Sequence, residues 1–319
     1  MQGLLNLGAG NVNVSVATGL LRGDRLFVTN EAPGDVLTRI STGWTGLAAG
    51  TSGFLLRARS TTNPPVYINQ DSGSRVRGLT GNNTSTTVYS FSMDEVTLRS
   101  PTTGETFVYT NTGAITNTIT TSGPAANGRD QAGAFTASTF IHIYAIWNGT
   151  TLATVSSATA PPTGPTFPTG YTHWAYLGAY FLNSSTNFIN TRTREAEVFY
   201  EARQSAVTLS MQTTRQTLSL TSQVPANAVG IGLELYQQYS NTSGAQAELE
   251  LVIEFISAVI HTSLRQYAAN NTTTSNTTYL ILPNISQQLF WYHQGGTGGG
   301  STGAGNIYVL GYTVPNGAS

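Results

Sequence analysis

Residues 140–155 read FIHIYAIWNGTTLATV. Eight residues rich in Ile and aromatic rings, Phe140 to Trp147, meet Asn148-Gly149, and Thr150 to Val155 follow. Branched and aromatic side chains suit a pleated surface, and Asn-Gly readily takes the positive φ angles of a type I′ turn. The segment is therefore predicted as a β-hairpin closed by a two-residue turn. Its first strand is apolar on both faces, which places it centrally in a sheet.

The same punctuation recurs upstream. Short apolar runs at Phe54-Leu55-Leu56, Val66-Tyr67-Ile68, Thr87–Phe91, Val96-Thr97-Leu98 and Thr106–Tyr109 alternate with turn clusters. Pro101-Thr102-Thr103-Gly104 is predicted to join the last two as a hairpin. Such regular spacing signals a sandwich or barrel. Ahead of it, Val12, Val14 and Val16 alternate with Asn and Ser, and residues 1–40 read as an extended arm.

Downstream, 156–170 is a loop rich in Ser, Thr, Ala, Pro and Gly, and Tyr171 to Phe181 reads as a strand. The charged stretch 192–203, RTREAEVFYEAR, reads as a strand linking two domains. Beyond it, Ile231, Leu233 and Leu235 share one face. In Glu248 to Phe255 the alternation sends Leu249, Leu251, Ile253 and Phe255 to the core and Glu248, Glu250 and Glu254 to water or a partner. Thr278–Leu282, Leu289–His293 and Ile307–Tyr312 are further strands, and Ser257–Ala269 reads as either a short helix or a strand. The expectation is an all-β chain: two antiparallel, jelly-roll-like β-sandwich domains, 41–203 and 204–319, preceded by the arm at 1–40.

Charged residues make up only 9% of the 319, against roughly 25% in ordinary domains. Thr, Ser, Asn, Gln and 34 Gly take their place. A monomer so poor in charge is weakly protected against association, which implies a surface covered by partner chains. All 14 basic residues are Arg, which is favoured at interfaces over Lys. They are scattered and the net charge is −1, which argues against a broad nucleic-acid-binding face. The absence of Cys removes disulfides and thiolate metal sites. Triplets such as Asn148-Gly149-Thr150 read as loops rather than glycan acceptors. The start, MQGLLNLGAGNVNVSVATG, lacks the basic and apolar regions of a signal peptide, and no run approaches the roughly 20 apolar residues of a membrane span. Synthesis in a cytosol, without membrane insertion, is expected.

Two segments carry a resemblance. TFIHIYAIWNGTTLATVSSATAPPTGPTFPTGYTHWAYLGAY (139–180) contains Ser157-Ala158-Thr159-Ala160-Pro161 and Pro168-Thr169-Gly170-Tyr171-Thr172. It resembles a module of tailed-phage tail-fibre and virion-associated proteins, in which an aromatic strand pair leads through a Ser-Ala-Thr-Ala-Pro loop to Pro-x-Gly-Tyr-Thr and another strand. VPANAVGIGLELYQQY (224–239) with IYVLGYTV (307–314) is similar to the small β-sandwich that ends many phage fibre or appendage proteins. The basic residues that often follow Pro-x-Gly-Tyr-Thr in that module are replaced here by His173-Trp174-Ala175-Tyr176. The resemblance implies a tailed-phage virion component that is made in the bacterial cytoplasm, resides in the virion and forms a homo-oligomer, a trimer in the fibre case.

The search for chemistry gives little. Glu195 with Glu197, or Asp94 with Glu95, could form the paired carboxylates of a glycan hydrolase, but exposed charges on a strand explain them as well. His142, His173, His261 and His293 lack metal-ligand spacing, and GGTGGGSTGAG (295–305) lacks the Gly-Lys-Ser/Thr ending of a phosphate loop. No catalytic residue, metal or cofactor is expected. Core packing is the plainer reading of the aromatic clusters, but Trp174 and Tyr176, and Trp291 with His293, are alternate members of strands and so could form a platform for a partner subunit or a sugar. The leading expectation is a structural part of a phage particle (tail fibre or appendage, collar or head decoration) that adheres to copies of itself and to other virion proteins. The alternative is a receptor-binding module for a host surface polysaccharide, with a glycan depolymerase third.

Overall fold

The computed structural model describes residues 75–241, 247–256, 259–269, 272–283, 286–295 and 302–315, together with four upstream strands known by their backbone pairing alone. Those four are β1 (Val36–Ile40), β2 (Gly43–Leu47), β3 (Phe54–Arg57) and β4 (Val66–Asn69). β1 pairs antiparallel with β2 and β3 pairs with β4. Of the expected arm at 1–40, residues 1–35 lie outside the described residues. By its own contacts the chain divides between Tyr67 and Ile68.

The second unit is built from β5 (Arg75–Arg77), β6 (Thr80–Asn83), β7 (Val88–Arg99), β8 (Thr106–Thr118), β9 (Gly128–Arg129), β10 (Phe140–Trp147), β11 (Leu152–Ser157), β12 (His173–Phe181), β13 (Thr191–Arg194) and β14 (Glu197–Leu209). It continues with β15 (Gln212–Ser219), β16 (Gly230–Asn241), β17 (Ala247–Ile256), β18 (Val259–Ala268), β19 (Thr272–Pro283), β20 (Gln288–Gly295) and β21 (Thr302–Thr313). The protein is all-β: no helix occurs among the described residues. A thirteen-stranded sheet runs β19-β16-β21-β14-β13-β6-β7-β12-β10-β11-β9, with β5 and β8 also on β7. It is antiparallel except where β9 pairs parallel with β11. A four-stranded sheet, β15-β20-β17-β18, supplies Leu218, Leu251, Ile253, Leu264, Leu289 and Trp291 to the same apolar core as Ile231, Leu233, Leu235, Ile307 and Val309 of the large sheet. That is the β-sandwich character the alternation predicts.

Several local readings hold in outline and change in detail. β10 and β11 form the expected hairpin, but Trp147 is opposite Leu152, so four residues connect them. Asn148 does not take a positive φ; its Oδ1 instead accepts the N–H groups of Thr150 (3.0 Å) and Thr151 (2.7 Å). An Asx turn therefore replaces the type I′ turn. Residues 101–104 do connect β7 to β8, with Ser100 N donating to Glu105 O at 2.8 Å. Residues 259–268 of the ambiguous stretch are a strand, not a helix. The charged stretch read as one strand is a hairpin: β13 turns through Glu195, whose φ is +53°, into β14.

β14 runs unbroken through residues 203 and 204. Three hydrogen bonds tie residues on either side of that point. Tyr312 donates to Ala179 O at 2.7 Å, Tyr200 to Gln223 O at 2.7 Å, and Asn227 Nδ2 to the Tyr176 hydroxyl at 2.9 Å.

Candidate interaction surface

Opposed residues in neighbouring strands share a face, so the register of the large sheet shows what stands together on its outer side. Ile281 of β19 is opposite Gly232 of β16, Gly232 is opposite Gly311 of β21, and Gly311 is opposite Phe199 of β14. The next row runs Tyr279, Glu234, Tyr308 and Ser205. Two glycines thus stand between Phe199 and Ile281 in this row. Gly311 is required by the close approach of strands: a Cβ there would sit 2.3 Å from Val198 O. A Cβ at Gly232 would meet Gly311 O at 3.7 Å, an ordinary van der Waals contact, so nothing in the packing demands glycine there.

The large side chains of these rows are exposed against the usual rule for apolar groups. Ile281 is 82% exposed, Tyr279 67% and Phe199 44%. Between them the charges neutralise one another. Glu234 is buried and ion-paired with Arg203, whose guanidinium lies 4.0 Å over the Tyr308 ring. Arg192 Nε donates to Glu201 Oε1 at 2.9 Å beside Phe199, and Arg192, Phe199, Tyr200 and Glu201 line a small recess. The surface is therefore aromatic and aliphatic with internally satisfied ions, a composition suited to adhesion.

The residues singled out as aromatic candidates lie elsewhere. Trp174, Tyr176, Trp291 and His293 are all buried, none more than 6% exposed. Trp174 packs edge-on to Tyr144, with ring centroids 5.1 Å apart. Tyr176 joins a buried triad: its hydroxyl receives Asn227 Nδ2–H and lies 2.9 Å from His142 Nδ1. The hydroxyl proton can then go to Nδ1, leaving the ring proton on Nε2. Burial holds the His142 pKa down at about 4, lowers that of His293, and pushes the Tyr89 phenol up to about 12. Trp174, Tyr176, Trp291 and His293 thus act as core, and the exposed rings that sequence reading did not single out include Phe199, Tyr267 and Tyr279. Strand alternation assigns residues to faces but does not say which face is left uncovered.

The carboxylates considered for catalysis also have structural engagements. Glu195 sits in the hairpin turn, where its Oε1 accepts Gly78 N–H at 2.8 Å, and Glu95 lies 3.9 Å from Arg77. Among the described residues no three of His, Asp or Glu gather as a metal site would require.

No family model and no curated protein matches this chain. Among solved structures it is similar to a Bacillus thuringiensis Cry1Da tryptic core variant at 8% identity and a TM-score of 0.19. That match covers 76% of this chain and about half, 53%, of the other. A score that low carries no argument about fold or function.

Proposed function

We propose that this chain is a non-enzymatic structural protein of a tailed-phage virion, working by adhesion to copies of itself and to other virion proteins. The observation that supports this best is the outer face at the β19 margin, where Tyr279 and Ile281 stand exposed on a twelve-residue strand without one charged side chain. Exposed apolar groups gathered at a sheet margin mark an interaction surface. The assignment to a phage particle rests on the module resemblance at 139–180 and on the paired segments at 224–239 and 307–314.

The test is native mass together with binding to particles. Purified chain should run above monomer mass and attach to tailed-phage virions or their subassemblies. A chain that stays monomeric at high concentration and binds no virion part would sink the reading. The recess of Arg192, Phe199, Tyr200 and Glu201 keeps a second reading in view, recognition of a host polysaccharide, because an exposed ring beside an ion pair can stack on a sugar while hydrogen-bonding its hydroxyls. Phe199→Ala should abolish saturable glycan binding if that reading holds, whereas Ile281→Ser, outside the recess, should leave it intact.

A further inference from the structure

β19 ends the large sheet: it pairs with β16 along its whole length, Gly230 opposite Pro283 through Asn241 opposite Thr272, and its other edge has no strand partner among the described residues. Twelve residues of antiparallel strand make an edge on the order of 40 Å long. Such an edge offers a row of N–H and C=O groups to any incoming strand, and proteins that stay apart blunt it with Lys, inward charges, bulges or an early Pro. β19 reads TTTSNTTYLILP, with no charge and with Pro only at its last position, and its register to β16 shows no bulge.

We infer that β19 is the seat of a second copy of this chain, paired antiparallel edge to edge about a twofold axis, so that the two large sheets become one. The inference rests on the assembly reading above and names its partner. Three observations select a second copy over a foreign strand. An edge without charge sets no like charges opposite each other when it meets itself, the penalty that otherwise opposes self-pairing. Its Thr, Ser and Asn side chains both donate and accept, so they are complementary to their own kind. One such contact already exists across the paired edge, where Ser240 Oγ and Thr273 Oγ1 share a hydrogen bond of 2.7 Å. Thr273, Ser275, Thr277, Tyr279 and Ile281 are all exposed on the outer face, so a twofold pairing also brings two Tyr279–Ile281 patches onto one continuous surface. A pair of this kind is isologous and gives a dimer or an even-numbered assembly, unlike the trimer expected of a fibre.

The chain contains no Cys, so a single introduced thiol can form a disulfide only with another copy. Cysteine is placed in turn at Ser275, Asn276, Thr277, Thr278 and Tyr279, the centres that leave most of the strand paired, with exposed Ser185→Cys as control. Opposed residues in antiparallel strands lie within disulfide reach. Mild oxidation should convert the variant on the axis largely to covalent dimer, with yield falling on either side. A second arm uses Thr277→Lys, which should lower the native mass of the unmodified assembly by at least half at the same concentration. If no position crosslinks above the control while the chain still oligomerises and binds virions, the edge pairing is wrong and the assembly reading stands. If the chain is monomeric and binds no virion part, both fall.

Discussion

β10 and β12 are buried from Ile141 to Trp147 and from Trp174 to Phe181, on both faces, whereas β19 is exposed along most of its length and buries only Leu282 fully. Both belong to one sheet and both use an antiparallel ladder. In the first region side chains pack above and below the backbone, with Tyr144, Tyr176 and Trp174 in edge or tilted contact. In the second the backbone ladder to β16 does most of the holding. Scarcity of charge therefore has two meanings in one molecule. Around β10 it is what an interior demands, since an unpaired charge there would be costly. At β19 it is a surface left without the usual protection against association.

The sharpest way to break the comparison is to truncate a ring in the buried region. Trp174→Ala should cost about 3–5 kcal/mol of unfolding free energy, read from the denaturant midpoint, because the ring leaves a cavity beside Tyr144 and Gly164. An unchanged midpoint would contradict the core assignment of Trp174.

Acid should attack the same region next. His142 stays neutral in the fold, with its pKa at about 4, and regains the ordinary 6.5 on unfolding. Between those values the unfolded state binds more protons. Stability is thus complete above the unfolded value and declines as pH falls through the window, by roughly 3 kcal/mol at its lower end. His142→Gln, which keeps an acceptor for Tyr176, should flatten this part of the profile of midpoint against pH. A profile as steep as the parent's would show that His142 does not set it.

A smaller effect tests the second sheet. Glu254, expected to face water or a partner, is buried and ion-paired with Arg215 at 2.7 Å, and that guanidinium lies 3.6 Å over the Phe290 ring. Glu254→Gln should cost about 1–2 kcal/mol, since the partly exposed Arg215 can recover some solvation. Smallest of all is Ile281→Ser on β19. It should change unfolding free energy by less than about 0.5 kcal/mol while weakening oligomerisation, measured as native mass against concentration. A large loss of stability there would mean that Ile281 is covered within the chain.

What could be read from residues follows the same divide. The hairpin at 140–155, the connection at 101–104 and the inward Leu249, Leu251 and Ile253 were legible because apolar side chains carry the pattern. Only 278–282 of β19 was legible, since Thr272 to Thr277 have no apolar period and are held by backbone pairing with Tyr236 to Asn241. The turn at Glu195 was missed because its signal, a positive φ at a non-glycine, depends on the strand partners and on Gly78. The exposed outer face was missed for a related reason. Phe199 and Tyr279 come together only through the pairing of β14, β21, β16 and β19, which are distant in sequence.

The position of β21 has a consequence for how the molecule is made. It lies between β14 and β16 in the sheet yet emerges from the ribosome after both, with β17 to β20 intervening. Until it is inserted, two long strands stand with open edges, and the pairings that close them span large chain separations, which slows folding. The nascent chain is thus most prone to aggregate in the interval before residues 302–313 appear. Chaperone capacity during synthesis should set the yield of this protein more strongly than the stability of the finished fold.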